Sequence, residues 1–130
     1  MKVGPEQSSG LPENFVGATI EGPSREGFLF YPSCGVDRES QGASPRFDPL
    51  PPHIYPDGKP HDWKLEYAPA AGSSGRITVT LDGRSTSLDL KPEHRAIGGR
   101  FNRFGFVTTH IDGNGQEVFL DDLTYTFRQE

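Results

Sequence analysis

Chemistry in this chain has to come from a small set of side chains. Tyr31, Tyr55 and Trp63 are aromatics with a polar edge; His53, His61, His94 and His110 are scattered; Cys34 stands alone; and two aspartates adjoin at 121–122. Sugars bind proteins by stacking an apolar ring face on Trp or Tyr, with hydrogen bonds made at the ring edge. Tyr31 and Tyr55 flank a proline-rich stretch and are well placed for exposure. Trp63 shares a strand face with Leu65 and Tyr67, which also suits a core. His61 sits two residues before Trp63 on that face. Tyr31, Tyr55, His61 and Trp63 are therefore the candidate ligand-binding residues, and a glycan is the candidate ligand.

Catalysis is harder to build from this set. Glycoside hydrolysis needs two carboxyl groups roughly 5–10 Å apart. Asp62 and Glu66 share a face, but four residues of extended chain hold them about 13 Å apart. Asp37 and Glu39 would lie about 7 Å apart if extended, inside an irregular segment. No nucleophile elbow and no phosphate-cradling glycine loop occurs in the sequence. No histidine pair has the H-x-x-x-H spacing of a metal site. These residues designate no catalytic group, and the histidines read as surface or structural. A single cysteine permits neither an internal disulfide nor a multi-thiolate metal site, so Cys34 reads as a small packing residue.

The last predicted strand carries an anomaly. Phe119, Leu123, Tyr125 and Phe127 share one face of residues 117–127, and Asp121 falls among them. A lone buried carboxylate is costly without a cation or several donors. Three arrangements relieve it. A β-bulge at Asp121-Asp122 turns both side chains outward. Arg100 or Arg103 pairs with Asp121. Or Asp121 or Asp122 ligates a structural Ca²⁺ with backbone carbonyls. Asp112-Gly113-Asn114-Gly115 lacks the EF-hand pattern and reads as a plain hairpin turn.

Strands must position these residues. The 130 residues include 16 glycines and 12 prolines, too frequent a punctuation for the long helices of a bundle or a doubly wound fold. Nine Phe, four Tyr and one Trp in short alternating runs argue against disorder, because they can bury a core. Residues 1–13 read as an irregular lead-in and 14–130 as a single domain. Phe15 to Ile20 and Gly27 to Tyr31 are predicted strands, ended by Gly22-Pro23 and by Pro32. Residues 32–60 hold seven of the twelve prolines and read as a long loop with at most one short strand.

After residue 60 the pattern sharpens. Trp63, Leu65 and Tyr67 alternate with Asp62, Lys64 and Glu66, the mark of a half-buried antiparallel strand. Arg76 to Leu81 and Arg84 to Leu90 flank Asp82-Gly83, which predicts a type I′ hairpin. Its register sets Leu81 opposite Arg84, Val79 opposite Thr86 and Ile77 opposite Leu88. Lys91 to Ala96 predicts one helical turn with Pro92 in its first position. Arg100 to His110 and Glu117 to Phe127 complete seven strands. Seven short strands and almost no helix predict an all-β fold, an antiparallel β-sandwich or barrel.

Net charge is −5 with no basic stripe, so nucleic acid is an unfavoured partner. No apolar run is long enough for a membrane span, and Met1 to Glu6 lack the apolar segment of a signal peptide.

Four segments carry a family resemblance: His61 to Pro69, Gly75 to Gly83, Arg100 to Phe106, and Val118 to Tyr125. Their W-x-L-x-Y-x-P, D-G-turn, F-x-R-F-G and D-D-L-x-Y patterns resemble a concanavalin A-like lectin/glucanase (LamG-like) jelly-roll domain, over residues 54–127. The resemblance implies a jelly-roll sandwich, a structural Ca²⁺ at Asp121 or Asp122, and an extracellular or periplasmic setting. The catalytic E-x-D-x-x-E strand of laminarinase-type hydrolases is absent, and the chain is short for the superfamily, as expected of a trimmed sandwich or a piece of a larger polypeptide. The leading functional expectation is a non-catalytic module that binds carbohydrate or accompanies a glycan-active enzyme. A glycan-active hydrolase or lyase and a structural or protein-interaction domain are the alternatives.

Overall fold

The computed structural model of this chain turns its short-period alternation into antiparallel β structure. It describes residues 2–3, 14–25, 27–36, 39–42, 51–97, 105 and 118–126. Among these, the strands are β1 (Lys2–Val3), β2 (Phe15–Ser24), β3 (Gly27–Val36), β4 (Glu39–Gly42), β5 (His53–Ile54), β6 (Trp63–Ala68), β7 (Arg76–Leu81), β8 (Arg84–Asp89) and β9 (Val118–Phe119). The one helix described is α1 (Pro92–Ile97), with Pro92 in its first turn, where a missing N–H costs nothing. The fold class is all-β.

The chain divides into two compact units. One combines Met1–Leu11 with Asn102–Glu130; the other is Pro12–Phe101. In the first, β1 pairs antiparallel with β9, so Lys2–Val3 are strand and not irregular lead-in. The second holds two sheets. One has the order β2-β3-β4, with β5 also pairing to β3; the other has the order β6-β7-β8.

The second sheet follows the sequence pattern closely. Asp82 and Gly83 both take positive φ, +48° and +80°, as a type I′ turn demands of its two central residues. Leu81 faces Arg84, Val79 faces Thr86 and Ile77 faces Leu88, the predicted register. On β7, Ile77, Val79 and Leu81 are buried, while Arg76, Thr78 and Thr80 look outward. The outward face is held by cross-strand pairs: Thr78 Oγ1 with Ser87 Oγ at 2.9 Å, Thr80 Oγ1 with Ser85 Oγ at 2.8 Å, and a bidentate Arg76–Asp89 contact.

The first sheet corrects the sequence reading twice. Gly22-Pro23 does not end β2, which continues to Ser24 through a register shift between Glu21 and Ser24. Nor does Pro32 stop β3, which runs on to Val36. The ladder explains why. The Phe30 N–H donates to Pro52 O at 2.8 Å, on the β5 side. Residues two apart in a strand point their N–H groups the same way, so the Pro32 nitrogen also faces that side. There, β5 pairs with Phe28 and Leu29, and pairing with β4 begins only at Ser33 of β3. Pro32 thus falls in a gap between two edge partners, where no donor is required. The stretch read as a long loop accordingly contains the end of β3, all of β4 and β5.

The inner faces of the two sheets share their core. Phe30, Val79 and Leu81 form one buried cluster, joined by Ala18, Ile54, Trp63 and Leu65. Cys34, Ile77 and Leu90 form a second, joined by Val16, Leu65, Tyr67 and Leu88. Leu65 belongs to both, which makes the two clusters continuous.

The predicted final strand does not persist. Among the described residues of this segment, strand pairing covers Val118–Phe119 alone, and the chain bends at Asp122, where φ is +50°. The predicted strand Arg100 to His110 and the 112–115 turn lie outside the described residues, apart from Gly105.

Ile77 is fully buried, so Ile77→Ala is expected to destabilise the protein by about 2–5 kcal/mol through lost transfer energy and a residual cavity. Gly83→Ala meets no neighbour, only the left-handed backbone, and is expected to cost about 1 kcal/mol. Urea unfolding of both variants against the parent measures the difference.

Candidate functional site

Side-chain alternation gives the first sheet an outer face, turned away from the core. Register places residues on it in rows. Glu21 lies opposite Leu29, and Leu29 opposite His53. One step along β3, Thr19 lies opposite Tyr31. Inward-pointing Phe30 and Ile54 alternate with these positions, so Glu21, Leu29, Tyr31 and His53 share the outer side. Tyr55 joins them. Its ring meets the His53 ring edge-on at 5.4 Å between centroids, and it lies against Gly27, where a Cβ would come within 3.3 Å of the Tyr55 ring.

Each member of this patch is oriented. The Tyr31 hydroxyl donates to Glu21 Oε2 at 2.5 Å. Burial, reinforced by the Glu21 carboxylate, pushes the Tyr31 phenol well above its usual range, so it stays a proton donor. The Glu21 carboxylate, accepting that hydrogen bond at one oxygen, keeps further lone pairs for other donors. His53 Nδ1 lies 3.1 Å from Pro51 O, a contact that a ring N–H makes as donor; a neutral ring then presents Nε2 as an acceptor. Leu29 is buried at 8% exposure and Tyr31 is half-buried, whereas Tyr55 is 52% exposed. The exposed members of the patch are thus the Tyr55 ring and the Glu21 carboxylate. Four residues along the strand direction separate the Tyr31 and Tyr55 positions, or roughly 13 Å.

The four candidate ligand-binding residues are thereby divided. Tyr31 and Tyr55 share the outer face. Trp63 points inward, packs edge-on against Phe30 at 6.4 Å, and belongs to the core. His61 is engaged elsewhere: its Nδ1 lies 2.6 Å from Asp82 Oδ2, in the β7–β8 turn. The other Asp82 oxygen accepts the Asp62 N–H at 3.0 Å, and the Asp82 N–H donates to Asp62 O at 2.8 Å. His61 and Asp82 thus clasp the start of β6 to the hairpin. Glu21 and His53 were missed by sequence reasoning. Their only signal was strand parity, and it carries no meaning until the pairing of β5 with β3 is known.

Asp121 and Asp122 are both exposed, and the burial that raised the need for a counter-ion is not found. Phe119 and Tyr125 are themselves 70% and 71% exposed, so this segment is no apolar strand face. The Asp122 N–H donates to Asp121 Oδ1 at 2.9 Å, and the left-handed Asp122 turns the chain. Among the described residues, no three His, Cys, Asp or Glu side chains form a cluster. Arg100, Arg103 and Asp37 lie outside the described residues, as does the Glu39 side chain. Glu66 pairs with Lys64 at 2.8 Å. Cys34 is 1% exposed, and burial raises its thiol above the usual range, which keeps it protonated.

Comparison of the chain with protein-family profiles, with curated proteins and with solved structures finds no match.

Acid sensitivity follows from the paired aspartates. Hydrogen bonds hold Asp82 (from His61), Asp89 (from Arg76) and Asp57 (from Lys59) below the ordinary value of 3.8. Their folded values are depressed, so their stabilisation is present above pH 3.8 and is lost as pH falls through the folded values. Urea midpoints are expected to drop below about pH 4, and Asp82→Asn to lessen that drop while lowering the midpoint at pH 7. Cys34 is expected to react with a thiol-specific disulfide reagent at a rate set by unfolding, and promptly only in denaturant.

Proposed function

We propose that this chain is a non-catalytic, carbohydrate-binding module with a concanavalin A-like β-sandwich, acting beside a glycan-active enzyme or within a larger polypeptide. The observation that carries this reading is the outer-face patch, where Tyr55 offers an exposed ring and Tyr31 and Glu21 offer an oriented carboxylate. That combination suits a sugar, whose apolar ring face stacks on an aromatic while its hydroxyls donate to a fixed acceptor. The spacing of Tyr31 and Tyr55 favours an oligosaccharide lying along the strand over a single ring. A binding role without turnover is supported by the carboxylates of the second sheet, since Glu66, Asp82 and Asp89 each contact a neighbouring basic side chain. No helix among the described residues is long and apolar enough to cross a membrane.

A glycan array combined with product analysis tests the proposal. Binding of an oligosaccharide without released product is expected. Tyr55→Ala should weaken it about tenfold or more, the cost of a lost stacking ring. Tyr31→Phe should weaken it less, because the ring remains and only the orientation of Glu21 is lost. Silence across the array would favour a structural or protein-interaction domain, and released sugar would favour a hydrolase or lyase.

A further inference from the structure

At the far end of the same unit, where β2 begins and β3 ends, α1 lies across the mouth of the core. A half-open pocket of about 60 Å³ is left there. Its floor is apolar: Val16, Cys34 and Leu90 all belong to the second core cluster. Its wall carries His94, an α1 imidazole only 7% exposed. At its mouth stands Arg95, whose Nη1 donates to Tyr67 Oη at 2.9 Å. A guanidinium has five N–H donors in a fixed fork, and this contact uses one of them. The contact also holds the fork at the pocket mouth, which lowers the ordering cost of a ligand bond.

Charge agrees with this geometry. The chain as a whole carries −5. Within residues 91–97, Lys91 and Arg95 outnumber the one carboxylate, Glu93, and Lys91 is near enough for its charge to act on the Cys34 thiol. A small apolar cavity with a cationic mouth and a buried imidazole matches a ligand with one anionic head and a short branched or unbranched hydrocarbon tail. The volume limits it to about four to six non-hydrogen atoms, given that a water fills about 10–15 Å³ of such space.

We propose that this pocket binds a short-chain monocarboxylate, its tail on Val16, Cys34 and Leu90 and its carboxylate on Arg95. The site lies apart from the outer-face aromatic patch and does not depend on carbohydrate binding there. Arg95 is the specificity-determining residue, because a planar fork accepts a carboxylate through two parallel N–H bonds.

Amide-resolved NMR titration of the full chain with isobutyrate, at constant ionic strength, tests the assignment. Saturable shifts are expected at Val16, Cys34, Leu90 and α1. Isobutyramide, the uncharged isostere, should bind about tenfold more weakly, and Arg95→Gln should weaken isobutyrate by a similar factor. Arg95 is exposed, so this variant is expected to fold, and its amide spectrum away from α1 verifies that. Equal binding of isobutyramide, unchanged affinity in Arg95→Gln, or shifts that grow linearly without saturating would each overturn the proposal.

Discussion

The fold rests on two strands that hide their inner side chains from water against each other's sheet. On β3, Phe30, Pro32 and Cys34 point inward; on β7, Ile77, Val79 and Leu81 do so. All six are buried, and burial of apolar area is the dominant favourable term in folding. Every other described element of Pro12–Phe101 is placed by this contact. The strands β2, β4 and β5 flank β3, while β6 and β8 flank β7. Trp63 and Leu65 close the core on one side; Leu88 and Leu90 close it on the other.

This constraint decides where ligand chemistry can occur. A side chain that alternates into the shared core is occupied by packing, as Trp63 is by Phe30. A side chain one residue away turns to the opposite face, which on β7 is open to solvent at Arg76 but on β3 still buries Leu29 and Ser33. Tyr31 adjoins Phe30 in sequence and sits on the opposite side of the sheet from it. The same parity brings Glu21, Leu29 and His53 into one row across β2, β3 and β5, the last separated from β3 in the chain by β4. The core also ends before α1, and the gap it leaves is the pocket beneath Arg95. The two proposed sites are therefore products of one packing arrangement, one on its back and one at its end.

Polar contacts refine this arrangement without creating it. The His61–Asp82 clasp and the Arg76–Asp89 pair lie on exposed surface, where ion pairs contribute little in water. Their value is positional. Asp82 ties the start of β6 to the hairpin turn through its side chain and its backbone, and so supports the register that the hydrophobic pattern had already selected.

Much of the second sheet was legible in the residues alone. Asp82-Gly83 admits few turns, and strict alternation on either side leaves one register that buries Ile77 and Val79 together. The helical turn at Pro92 was legible for a similar local reason. The all-β class followed from the density of glycine and proline. The rest required the tertiary structure, because it depends on partners distant in sequence. Pro32 continues a strand only because β4 and β5 leave a gap beside it, and nothing near residue 32 encodes that gap. Asp121 looked buried only while residues 117–127 were taken as one straight strand, and a left-handed Asp122 removes that premise. Tyr31 and Tyr55 could be named as aromatics from the sequence, but their shared face with Glu21 and His53 arises from the pairing of β5 with β3. Local pattern determines which residues alternate; only long-range pairing decides which face meets the core and which is left for a ligand.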